Sequence, residues 1–74
     1  IDPAEQDPID RLSNRELEVF ALIGRGRTTS QIAKQLYLSV HTIDSHREKI
    51  RHKLGVEHGS ELVRRAVQWV LENG

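Results

Sequence analysis

The polar side chains between residues 39 and 53 are the ones whose types and spacing could do chemistry. His41, Asp44, Ser45 and Glu48 supply hydrogen-bond donors and acceptors, and the cations Arg47, Lys49, Arg51 and Lys53 are interleaved with them. On an α-helix each residue advances by about 100°, so Arg47, Ile50 and Leu54 fall within roughly 40° of Ile43 and mark the side to be buried. His41, Asp44, Ser45, Glu48, Lys49, Arg51 and His52 spread over the opposite side. A rigid polar face flanked by cations suits recognition of a nucleic-acid groove, where side chains read base edges and cations hold phosphate oxygens. This selects His41, Asp44, Ser45 and Glu48 for bases, and Thr42, Arg47, Lys49, Arg51 and Lys53 for phosphates. Thr29 and Ser30, at the start of an earlier helix, can offer hydroxyls and N–H groups to a phosphate.

Other chemistries fit poorly. His41, Glu48 and His52 share a face, but the two histidines lie about 16 Å apart along the axis, too far for one ion. Glu48 and His52 alone are only two ligands, so no metal site is expected. Asp44-Ser45-His46 spells the letters of a catalytic triad, yet consecutive helical residues point about 100° apart and cannot face one another. No catalytic residue and no cofactor is expected, and the chain is read as a non-enzyme.

The elements that position these residues are helices. Ser13 with Glu16 three residues on predicts a capping box, with Leu12 and Leu17 as its hydrophobic staple. Leu17, Val19, Phe20 and Ile23 form one apolar face, and Gly24-Arg25-Gly26 stops the helix. Thr28 and Gln31 predict a second cap, opening a short helix that carries Ile32, Ala33 and Leu36 and ends at Tyr37-Leu38. Ser39 caps a third helix over Val40–Leu54, closed by Gly55. A fourth begins near His58–Ser60 and runs to about Glu72. The fold class is all-α, four helices in a bundle, with no strand pattern and hence no wing. An eight-residue helix, a tight turn and a longer helix is helix-turn-helix spacing, in which the second member enters the major groove.

Composition sets bounds. At 74 residues the chain makes one small domain, and without cysteine it has neither a disulfide framework nor a thiolate zinc site. Its core must come from patterned helices. Three aromatic residues, Phe20, Tyr37 and Trp69, leave little for a single-strand stacking platform. No apolar run approaches a membrane span and no signal-peptide pattern opens the chain, so a cytoplasmic, membrane-free setting is expected. There is no methionine, so residue 1 is read as the start of a fragment or processed product. Net charge is zero but polarised: −4 over residues 1–10, balanced over 11–24, +5 over 25–53 and −1 over 54–74. Residues 1–10, with Pro3, Pro8 and four acids, read as a flexible linker, leaving 11–74 as the domain.

Four motifs, in one order with matching gaps, carry a family likeness. They are Leu12-Ser13-x-Arg15-Glu16-x-Glu18-Val19, Gly26-x-Thr28-x-x-Gln31-Ile32-Ala33-x-x-Leu36, Ser39-x-x-Thr42-Ile43-x-x-His46, and Ile50-x-x-Lys53-Leu54-Gly55-Val56. Over about residues 11–72 the chain resembles the LuxR/FixJ/NarL-type helix-turn-helix domain. The resemblance implies the C-terminal, double-stranded-DNA-binding part of a bacterial transcription regulator, behind a missing receiver or ligand-sensing domain. It also implies a scaffold second helix, a reading third helix and a fourth helix that makes a homodimer contact. RNA polymerase is a further partner to be expected of such a regulator. His46 matches the family histidine and lies at the edge of the buried stripe, a core or phosphate-side residue.

The sequence departs from the family at Asp44 and Glu48, positions that often carry Lys, Arg or a neutral residue in relatives. A carboxylate is repelled by phosphates but can accept from cytosine N4. Asp44 or Glu48 is therefore expected to read a cytosine or to order a neighbouring arginine; the alternative is that Glu48 merely pairs with Arg47, Arg51 or His52. In the fourth helix the apolar residues Leu62, Val63, Ala66, Val67, Trp69, Val70 and Leu71 sweep about 200°, twice what a core-facing helix needs. Leu62, Ala66, Trp69 and Val70 are the dimer-contact candidates, against the alternative that Trp69 and Leu71 only close a small core. As an isolated fragment the chain is expected to be a monomer or a weak dimer. Competing readings are the promoter-reading region of a sigma factor, and a protein–protein module on a helix-turn-helix scaffold that has lost DNA binding.

Overall fold

Side-chain oxygens start three α-helices of the chain, whose residues 8–74 are described by a computed structural model. Ser13 caps α1 (Asn14–Gly24): its Oγ accepts from the Glu16 N–H at 3.2 Å, while Glu16 Oε1 accepts from the Ser13 N–H at 2.8 Å. Thr28 and Gln31 repeat the arrangement at α2 (Thr29–Leu36), at 3.2 and 2.9 Å. Ser39 Oγ accepts from the Thr42 N–H at 3.1 Å and opens α3 (Val40–Leu54). Each cap satisfies amide groups that the first turn of a helix leaves without a partner, at about 1 kcal/mol apiece. α4 (Gly59–Asn73) begins after His58 with no side-chain cap.

A left-handed residue follows each of α1, α2 and α3 within two positions. Gly26 (φ +86°) follows α1 and Gly55 (φ +69°) follows α3. Between α2 and α3 the same role falls to Tyr37, at φ 57° and ψ 42°, and the Leu38 N–H then closes on the Ala33 carbonyl at 2.9 Å. This three-residue turn, Tyr37 to Ser39, sets the helix-turn-helix pair.

The core lies where α1 crosses α3 and α4 and where α2 packs on α3. Phe20, Ile32, Ile43, Ile50, Leu62 and Val19 are fully buried there, at roughly 1.5–3 kcal/mol of hydrophobic stabilisation each. Ile43, Ile50 and Leu54 anchor α3 from behind, as its period requires. Gly24 lets α1 meet α4: a Cβ there would stand 2.3 Å from the Ala66 carbonyl oxygen and 2.6 Å from Val70 Cγ2. Beside this contact the Phe20 and Trp69 rings pack tilted by 58°, with centroids 5.9 Å apart.

The four helices stand where the sequence places them, and no strand occurs among the described residues. Residues just before 11 also pack on the helices. Pro8–Arg11 form a 3-10 turn, with the Leu12 N–H on the Ile9 carbonyl at 3.0 Å. Ile9 and Leu12 are half-buried against the core, because Pro8 presets the φ that such a turn needs and Ile9 finds apolar surface. The rest of the acidic leader lies outside the described residues. No described helix is long and apolar enough to cross a membrane.

Candidate nucleic-acid interface

With its inner stripe held by the core, α3 turns His41, Asp44, Ser45 and Glu48 outward together, all exposed. Lys49 is exposed on the same helix, and Thr42 is half-buried with its hydroxyl 2.9 Å from that of Ser39. Ser30 is exposed and Thr29 half-buried in the first turn of α2. Arg47 is half-buried, and its Nη2 comes within 4.0 Å of where a Cβ would stand on Gly59. Asp44, Arg47, Glu48 and Arg51 of α3 face Glu57, His58, Gly59 and Leu62 across an open groove of about 450 Å³. Two acids and two arginines of α3 therefore meet at the rim of one groove.

Two expected phosphate ligands are already engaged within the fold. Lys53 Nζ lies 2.6 Å from Oε1 of Glu16, whose side chain is 4% exposed. The reason is electrostatic: a buried carboxylate needs a counter-charge, and the last turn of α3 brings Lys53 to it. Burial raises the Glu16 pKa, but the Lys53 ammonium and the Ser13 N–H and hydroxyl outweigh it and hold the carboxyl below its usual value. Arg51 donates to both oxygens of Glu48 and to the Glu57 carbonyl. Its hydrogen bonds keep the Glu48 carboxyl below the usual range as well. So Glu48 does pair with Arg51, and among the described residues no ion pair engages Arg47 or Lys49 of α3.

His46 is half-buried, and its Nδ1 is buried without a hydrogen-bond partner among the described residues. That places it at the edge of the inner stripe, away from the exposed face.

On α4 two of the proposed contact residues need correction. Leu62 and Ala66, 1% and 0% exposed, are buried in the core and have no surface left to offer a second subunit. Trp69 and Val70 are half-buried. The outward apolar row is instead Val63, Val67 and Leu71, which the sequence reading left out of the contact set. Residues 63, 67 and 71 follow an i, i+4, i+8 progression, but so do 62, 66 and 70, and spacing alone does not say which row is covered by α1. The Glu16–Lys53 pair and the Arg51 bond to Glu57 carried no local signal.

The sequence matches the family described as bacterial regulatory proteins, luxR family, over residues 10–66. Curated relatives include the oxygen regulatory protein NreC of Staphylococcus aureus strains JH9, JH1 and Mu3, each 42% identical over 62 residues. That stretch is 84% of this chain and 29% of each relative, so the chain spans under a third of their length. No solved structure matches the chain significantly.

Proposed function

The chain belongs to the luxR family of bacterial regulatory proteins, a family of helix-turn-helix DNA-binding domains that serve transcription regulation, and from that premise we propose that α3 is the helix it lays in the major groove of double-stranded DNA. The observation that carries this reading is the outward cluster His41, Asp44 and Ser45, with Glu48 held by Arg51 beside it, on a helix anchored from behind by Ile43, Ile50 and Leu54. In the reading, side chains from the N-terminal half of α3 meet base edges. Arg47, Lys49, Thr42 and the first turn of α2 hold phosphates, and these contacts make affinity fall steeply with salt.

Two subunits pair through α4, by the row Val63, Val67 and Leu71 with Trp69 and Val70 at its edges. A two-fold axis there sets two reading helices about one DNA turn apart. The acidic leader is the connection to a receiver or ligand-sensing domain, and RNA polymerase is a partner of the whole regulator.

A duplex titration followed by amide chemical shifts at two salt concentrations tests the reading. Shifts at residues 28–30 and 39–53 that shrink at the higher salt are expected. Shifts confined to α4, or none at low ionic strength, would replace it with a protein-binding role.

A further inference from the structure

Two carboxylates stand four residues apart on the outward side of α3, and their surroundings differ. Arg51 Nη2 lies 2.7 Å from each oxygen of Glu48, and Arg51 Nε lies 3.2 Å from Oε2. Arg51 is itself fixed, because Nη1 donates to the Glu57 carbonyl in the α3–α4 connection. A bidentate, charge-assisted pair with one member tethered to backbone keeps its geometry even on a surface. Turning Glu48 toward a base would break all of its bonds to Arg51 at once. Asp44 is held by nothing: no hydrogen bond or ion pair among the described residues engages its exposed carboxylate. It also lies one turn nearer the N-terminal end of α3, the half of a reading helix that meets bases.

Building on the proposed reading by α3, we infer that Asp44 is the one carboxylate that reads a base, and that the base is cytosine. An ionised carboxylate only accepts hydrogen bonds. In the major groove guanine presents N7 and O6, both acceptors, and thymine presents O4 and a methyl group, so neither can donate to Asp44. Adenine offers its N6 amino group beside N7, whose lone pair repels the second carboxylate oxygen. Cytosine offers the N4 amino group with no acceptor of its own on that edge. The Glu48–Arg51 pair, neutral as a unit, does not compete for that amino group. It also spares the DNA backbone a second free acid.

The test compares the wild-type chain with Asp44→Asn, Asp44→Ala and Glu48→Gln, all changes at exposed positions. Selection from duplexes with a randomised core defines the preferred site. Duplexes differing from it by single base pairs are then titrated at fixed salt. The wild type is expected to prefer cytosine at one position of each half-site by about tenfold. Asp44→Asn moves that preference to adenine, because a carboxamide can donate to N7 while accepting from N6, and Asp44→Ala erases it. Glu48→Gln leaves it in place. Loss of the cytosine preference in Glu48→Gln, or its survival in Asp44→Asn, overturns the assignment while leaving DNA reading by α3 intact. If the wild type enriches no sequence, reading by α3 fails and the assignment falls with it.

Discussion

Lys53 and Glu16, thirty-seven residues apart in the chain, meet at 2.6 Å and tie the last turn of α3 to the cap of α1. The same carboxylate closes the Ser13 capping box. One buried side chain thus fixes where α1 begins and how α3 lies across it.

Acid should loosen this junction. The Glu16 carboxyl has a lower pKa in the folded chain than its usual value of 4.5, so the unfolded chain takes up the proton more readily. The stabilisation is complete above about pH 4.5 and is lost as pH falls through the folded value. Glu16→Gln, which can still cap, should cost roughly 1–3 kcal/mol near neutral pH and flatten the acid limb. Urea unfolding at a series of pH values measures both, and an unchanged acid limb in the variant would remove Glu16 as its source.

Gly24→Ala should destabilise, against the usual preference for alanine in a helix. The added methyl would stand 2.3 Å from the Ala66 carbonyl oxygen, so α1 and α4 must part. A loss of about 1–3 kcal/mol is expected from such overpacking. Thermal unfolding that shows a gain instead would mean that the contact yields freely.

Tyr37→Gly should stabilise. Tyr37 is the one non-glycine residue of positive φ among those described, and its side chain is 94% exposed with nothing to pack on. Relief of the left-handed conformation is worth about 1 kcal/mol, part of it returned to the greater freedom of glycine when unfolded. Denaturant midpoints decide the sign.

The salt dependence of DNA affinity should separate Arg47 and Lys49 from the engaged Lys53. Arg47→Ala and Lys49→Ala should each lower the slope of log K against log salt by about one. Lys53→Ala should change that slope little and lower stability instead, because its ammonium is paired with Glu16. Equal slope changes for all three would show that Lys53 leaves Glu16 for the DNA.

Val67→Asp should weaken self-association more than tenfold, since it sets a charge in the middle of the exposed row Val63, Val67 and Leu71. The thermal midpoint of the monomer should stay within a few degrees of wild type, because Val67 is not in the core. Sedimentation with and without a two-site duplex provides the reading, and unchanged association would clear α4 of the role.

Helix positions were legible in the sequence because their causes are local. Ser13 with Glu16, Thr28 with Gln31, and Ser39 each announce a helix start within four residues, and the period of Ile43, Ile50 and Leu54 names the buried side of α3. The roles of Lys53 and Arg51 were not legible, because their partners depend on how helices cross and where a connection runs. α4 falls between these cases. Its wide apolar arc was visible, but dividing Leu62 and Ala66 from Val63 and Val67 required knowing which side α1 occupies. The 3-10 turn at Pro8–Arg11 was hidden by the acidity of the segment around it.

The tilted contact of Phe20 with Trp69 gives the molecule a built-in optical reporter. Trp69 is the sole indole of the chain, half-buried on α4 and remote in sequence from the polar side chains of α3. Its emission should follow the separation of α1 from α4 during unfolding without any label. A colour change on adding a duplex would then register a change in the surroundings of the indole on α4.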